Sequence, residues 1–182
     1  MLAVVKSLRE AIVVRTAEVA EVAVVSSILR EAHAWLSARD LALWSDDLLT
    51  PAALGSDVDA GRYVLAFVAG EAAGTARLTL DDPVYWPDAA EGEATYLHRL
   101  AVRRAYAGGA VSRALVDAGC QRARAAGSKL LRLDCRADVP RLRALYERLG
   151  FSLESERTVN GHESARFQRS ILEVEEAPEL KR

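Results

Sequence analysis

Leu100-Ala-Val-Arg-Arg-Ala-Tyr-Ala-Gly-Gly-Ala-Val-Ser-Arg-Ala-Leu115 is the stretch on which the fold turns. Its first residues end a run, 94–102 (Ala-Thr-Tyr-Leu-His-Arg-Leu-Ala-Val), that reads as a strand. Past Gly108-Gly109 the period changes. Val111, Ala114, Leu115, Ala118 and Arg122 share a helical stripe, so most of this helix lies on a sheet, and Gly127 suits the residue that closes it. A loop of small residues running from a strand into a helix presents several unpaired backbone N–H groups. With the helix dipole these bind phosphate oxygens without particular side chains, and Arg103 or Arg104 adds positive charge. The alternative is a tight turn that merely needs glycine, which Gly-Gly alone does not exclude.

Working outward, 11–16 (Ala-Ile-Val-Val-Arg-Thr) is a first strand, with Thr16 placed to cap a helix over 17–38 and Glu18 in its first turn. A shorter helix is predicted over 45–54. Residues 62–69 and 73–80 flank a hairpin turn at Gly70-Glu71, and 81–93, with Pro83, Pro87 and Gly92, is a loop. After the glycine-led helix come a strand over 129–135, a helix over 140–149 opened by Pro140 and stopped by Gly150, and strands 151–159 and 163–171 turned by Asn160-Gly161. The order β-α-α-β-β-β-α-β-α-β-β holds no repeat and no linker. It implies one α/β domain over 1–182 with a mixed sheet, in which 94–135 forms a right-handed parallel crossover. Residues 1–10 are an extension and 173–182 a frayed acidic tail.

The totals limit the function classes. A chain of 182 residues, 51% apolar and 27% charged, can bury a self-sufficient core. A net charge of −2 with dispersed arginines gives no footprint for nucleic acid. No apolar run is long enough to cross a bilayer, and Lys6, Arg9 and Glu10 interrupt the N-terminal stretches where a signal peptide needs continuity, so a cytoplasmic protein is expected. Cys120 and Cys135 stand apart from each other and from histidines at metal spacing, which argues for two reduced packing thiols and no metal site. Heavy use of Ala, Leu and Arg suggests a GC-rich bacterial source.

The whole segment 100–115 resembles the acyl-CoA-binding signature of the GNAT superfamily of N-acetyltransferases. There, strand 4 ends in a Leu-x-Val-like run, followed by an Arg/Gln-x-x-Gly-x-Gly/Ala loop. Leu100-Ala101-Val102 and Ala107, Gly108, Gly109, Ala110, Val111 and Ser112 fall in those places. Arg143-Ala-Leu-Tyr-Glu-Arg-Leu-Gly-Phe151 is similar to the family's Tyr-x-x-x-Gly-Phe ending of helix 4. The departures are Ala107 for the loop's Arg or Gln, Ala110 for its middle Gly, Ser112 for its last Gly/Ala, and Val139 where Asn is frequent. The resemblance implies a GNAT-like fold, a mostly antiparallel mixed sheet of about seven strands with about four helices. The loop then cradles acetyl-CoA as co-substrate beside the parallel strand–helix–strand unit.

The resemblance further implies transfer of acetyl to a primary amine, small or on a protein, by direct attack, in a monomer or homodimer. A bulge in strand 94–102 would free N–H groups near Leu100–Val102 for the thioester oxygen. Tyr146 matches the tyrosine that protonates the departing sulfur, although it shares a stripe with Leu142, Leu145 and Leu149 and can equally be a core residue. Where some members carry a catalytic Glu this chain has Tyr96. Strand alternation puts Tyr96, His98, Leu100 and Val102 on one face, so His98 is a candidate base, with Glu93 next. Trp35, Trp44, Tyr85 and Trp86 line an acceptor pocket or fill a core. The other function class is a non-catalytic acyl-CoA-binding or interaction protein that keeps the fold, motivated by the altered loop. A nucleotide binder lacks the GxGxxG pattern.

Overall fold

Residues 11–41 and 43–171 are described by the computed structural model, so the expected N-terminal extension and acidic tail lie outside the described residues. Strands β1 (Ile12–Thr16), β2 (Tyr63–Val68), β3 (Glu71–Thr79), β4 (Ala94–Val102), β5 (Leu130–Arg136), β6 (Ser152–Val159) and β7 (His162–Ser170) form a seven-stranded sheet in the order β1-β2-β3-β4-β5-β7-β6. The helices are α1 (Val22–Ser37), α2 (Pro51–Asp59), α3 (Ala110–Ala125) and α4 (Pro140–Arg148). β1/β2, β2/β3, β5/β7 and β6/β7 pair antiparallel, and β4 runs parallel to β5 over Ala94–Tyr96 against Leu130–Arg132. The α/β class and the mixed, mostly antiparallel sheet therefore agree with the sequence.

Local chemistry moves several boundaries. The helix expected from residue 17 begins at Val22, after a 3-10 turn, Val19–Glu21. Glu21, not Thr16, closes that turn: its carboxylate accepts the Glu18 N–H at 2.8 Å and is fixed by two bonds from Arg15 at 2.7 and 2.6 Å. The second helix starts later than expected, at Pro51, and runs to Asp59; Thr50 caps its start, its hydroxyl accepting from Ala53 N at 3.2 Å, with Pro51 in the first turn. The β2–β3 turn uses Ala69-Gly70, at φ +50° and +84°, rather than Gly70-Glu71. These two left-handed residues match the type I′ geometry that follows strand twist, as do Asn160-Gly161 at φ +50° and +79°.

Packing divides the chain into two compact units, one of residues up to Thr79 with Leu97–Ala118, the other of Leu80–Tyr96 with the chain from Gly119 on. In the first, Val25, Ile28 and Leu29 of α1 and Leu54 and Val58 of α2 cover Tyr63 and Leu65 of β2 and Ala101 of β4. In the second, Trp86 packs with Ala94 and Tyr96, while Arg132 and Arg166 lie over its indole at 4.6 and 4.5 Å. Trp86 is thus a core residue that ties the 81–93 loop to β5 and β7.

The first unit has one position where backbone, strand and helix meet without room for a side chain. A Cβ on Gly74 of β3 would lie 2.9 Å from Ala101 O, 2.9 Å from Val111 Cγ1 and 3.1 Å from Leu115 Cδ1. Gly74→Ala must therefore displace the β4 end and the first turns of α3 together. Overpacking of this kind costs about 1–3 kcal/mol. Chemical denaturation of Gly74→Ala is expected to show that loss, and stability equal to the parent would refute the close packing.

Candidate functional site

β4 occupies the predicted 94–102, but it is not a regular strand. Arg99 has φ +50°, in the left-handed region where a residue with a Cβ carries strain of about 1–2 kcal/mol. Its own side chain holds it there, donating to the buried Tyr63 hydroxyl at 3.0 Å and to Leu48 O at 3.4 Å. Tyr96 and Leu97, adjacent in sequence and so on opposite faces, are both buried, as is Ala101. The left-handed Arg99 falls just before Leu100.

Beyond Val102, Arg103 leaves the strand and a 3-10 turn covers Arg104–Tyr106. Gly108 and Gly109, at φ +141° and +96°, take conformations that side chains rarely adopt. α3 starts at Ala110, and its first backbone bond runs from Arg113 N to Gly109 O at 2.9 Å. The N–H groups of Ala110, Val111 and Ser112 precede that ladder and point from a helix N-terminus. The Val111 side chain is buried against β3, so this residue can offer the loop only its backbone.

The flanking arginines differ from expectation. Arg103 is committed: its side chain donates to Glu31 Oε2 at 2.7 Å, Ser27 Oγ at 2.6 Å and Ala72 O at 3.0 Å, so it does not supply a loose cation to the loop. Arg104 keeps its charge exposed, with its guanidinium 4.0 Å from the Trp35 ring centroid; Arg39 lies at 4.1 Å from the same ring. Trp35 therefore serves as a cation–π platform.

His98 belongs to the same unit as Leu100–Val102 and the 107–112 loop. Its Nε2 lies 2.9 Å from Thr79 Oγ1, and burial, aided by the charges of Arg77 and Arg99, pushes its pKa down to about 4. Glu93 and Tyr146 lie in the second unit. Glu93 accepts from Arg132 at 2.8 Å, which holds its carboxyl below the usual range. Tyr146 packs on Phe151 and Phe167, both at 6.1 Å between centroids, and burial raises its hydroxyl pKa far above ordinary. The ring is half-buried among aromatics, and its phenol stays protonated.

Asp134 of β5 was not singled out by the sequence, yet it is the carboxyl most altered by its surroundings. Burial, with the charge of Asp82, pushes it up to about 7. The signal was a lone acid in the apolar run Leu130–Cys135. Cys135 is buried and pushed up to about 12, chiefly by burial.

Comparisons with known proteins agree with this architecture. The Acetyltransferase (GNAT) family model matches residues 27–151, which include the β4 end, the glycine loop and the Gly150-Phe151 ending. An acetyltransferase of the GNAT family from Listeria monocytogenes is 24% identical, with TM-score 0.73 over 87% of this chain and 94% of its own. The paiA N-acetyltransferase of Thermoplasma acidophilum, solved in complex with coenzyme A, is 14% identical, with TM-score 0.69 over 88% and 99%. The yncA protein of Salmonella typhimurium, solved with its cofactor acetyl-CoA, is 17% identical, with TM-score 0.67 over 94% and 99%. No curated protein matches. With 27–151, well over half the chain, carrying the family's pattern, the chain belongs to the GNAT family of acetyltransferases.

Proposed function

We propose that this protein is an N-acetyltransferase that transfers acetyl from acetyl-CoA to a primary amine, small or on a protein, as a monomer or homodimer in the bacterial cytoplasm. The observation that carries the reading is the family match across the strand–Gly-Gly–helix junction, where backbone donors converge without side chains. Structural neighbours solved with coenzyme A and with acetyl-CoA support the co-substrate. Leu100, Ala101 and Val102 contribute backbone groups to the thioester and pantetheine arm, and Ala107, Gly108, Gly109, Ala110, Val111 and Ser112 face the pyrophosphate. Arg104 takes the role of nearby cation. The replacements Ala110 and Ser112 leave these backbone donors in place, since neither is proline, whereas the Ala107 N–H is bonded to Arg104 O.

In the reaction the amine nitrogen forms a bond to the thioester carbonyl carbon. The carbon–sulfur bond then breaks, and the sulfur leaves with the electron pair. In this reading Tyr146 donates its phenolic proton to that sulfur. The amine must lose a proton, and the candidates differ in proton affinity. Glu93 is tied to Arg132 and is a poor acceptor. His98, at about 4, is neutral at physiological pH and serves to orient or relay through its Thr79 contact. Asp134, pushed up to about 7 by burial and by Asp82, has a proton affinity in the range a base needs, and it belongs to the second unit.

Calorimetric titration with acetyl-CoA, with CoA, ATP and NAD as controls, is expected to show selective binding of the CoA ligands. Absence of binding at millimolar concentration would favour an interaction protein that keeps the fold. Given an accepted amine, Tyr146→Phe is expected to lower turnover by about 100-fold while leaving acetyl-CoA affinity within about twofold. Unchanged turnover would reduce Tyr146 to a core residue.

The two shifted groups also act on stability, with opposite signs. Asp134 ionises at about 3.8 when unfolded and about 7 when folded, so it weakens the fold as pH rises across that interval. His98 protonates at 6.5 when unfolded and about 4 when folded, so stability falls as pH drops from 6.5 toward 4. Thermal melts of Asp134→Asn are expected to gain more over the parent at pH 8 than at pH 4.5. An equal gain at both would place the Asp134 ionisation at its ordinary value.

A further inference from the structure

From the hydrogen bonds of Glu31 we infer that this α1 carboxylate is a positioning residue that fixes the geometry of the CoA loop. The inference rests on the acetyltransferase reading of residues 107–112. Glu31 uses both oxygens on consecutive residues of the segment that leaves β4. Oε1 accepts the Arg104 backbone N–H at 2.8 Å, and Oε2 accepts Arg103 Nη1 at 2.7 Å. The Arg104 N–H is the first donor of the 3-10 turn Arg104–Tyr106, the group that such a turn leaves without an internal partner. Glu31 therefore caps this turn from another helix, since the turn's own N-cap residue, Arg103, provides no side-chain cap.

The second half of the bond set gives the cap its rigidity. Arg103 binds α1 at Glu31 and Ser27, and binds β3 through Nε to Ala72 O at 3.0 Å and through its backbone N–H to Ala73 O at 2.8 Å. Ser27 is itself oriented, its hydroxyl donating to Val24 O at 2.8 Å while accepting from Arg103. The chain is thereby anchored to a helix and a strand immediately before it turns. From that anchor the path to the glycines is short and internally bonded. Tyr106 N donates to Arg103 O at 2.9 Å and Ala107 N to Arg104 O at 3.2 Å, and Gly108 follows directly.

Gly108 and Gly109 have wide backbone freedom, so their own sequence does not fix where the following amides point. The anchor on one side and the Val111 packing on the other must do so. The carboxylate also neutralises the Arg103 guanidinium, which Ser27 and Ala72 hold in the same place. Glu31 thus acts through Arg103 and Arg104 and touches no substrate.

The test is made on the full chain with Glu31→Ala and Glu31→Gln, reading residue-resolved amide hydrogen exchange by NMR together with calorimetric binding of acetyl-CoA. In Glu31→Ala, exchange at the Arg104, Tyr106 and Ala107 amides is expected to quicken by about tenfold or more, with Leu65 in β2 unchanged. The acetyl-CoA Kd is expected to rise about tenfold while kcat at saturation stays within about twofold. Glu31→Gln keeps an acceptor for the Arg104 N–H and should restore most of both, and it carries the test by itself if the alanine variant does not fold. Unchanged exchange at those three amides, or an acetyl-CoA Kd equal to the parent's, would overturn the inference. Quickened exchange in a protein whose parent form does not bind acetyl-CoA supports the brace and removes the acetyltransferase reading instead.

Discussion

The absence of a side chain at Gly74 sets the distance on which the first unit depends. With a carbonyl oxygen of β4 and two side chains of α3 each about 3 Å from where a Cβ would stand, β3, β4 and α3 are in contact at one point. That contact determines how closely α3 approaches the end of β4. It therefore determines where the first amides of α3 lie relative to Leu100–Val102. A helix N-terminus binds anions only through groups that already point at one spot, because reorganising them on binding would consume the favourable energy. The packing at Gly74 supplies that fixed geometry from below, and the Arg103 bonds supply it from the side.

Strain at Arg99 follows the same logic. A left-handed, non-glycine residue inside a strand persists only if its surroundings over-determine it. Here the determinants are two bonds from the Arg99 side chain to Tyr63 and Leu48, one of them to a fully buried hydroxyl. The irregularity falls one residue before Leu100, at the end of the strand that leads into the glycine loop.

Much of the fold was legible because it is written locally. β4 was readable from its apolar run, the β6–β7 turn from Asn160-Gly161, and α3 from the glycines and the small-residue period. The boundaries that moved did so for side-chain reasons. Glu21 displaced Thr16 as the closing group, and the Thr50-Pro51 pair set the start of α2 at Pro51. The site was less legible. Arg103 reads as a spare cation next to a phosphate loop, and only folding brings Glu31, 72 residues earlier, against it. Asp134 reads as one polar residue in a strand, and its proton affinity depends first on burial and then on Asp82 from a loop that no periodicity describes. Sequence pattern shows which residues share an element, whereas electrostatics depends on which elements share a space.

Acetyl thioesters exchange with thiolates as well as with amines, so an enzyme that holds one risks acylating itself. The thiol of Cys135 is buried, and its ionisation is pushed up to about 12, so its nucleophilic form is scarce at neutral pH. Cys120 is buried within α3. In chemical terms Cys135 carries its sulfur in an inert form, one that a thioester held by this fold would not acylate.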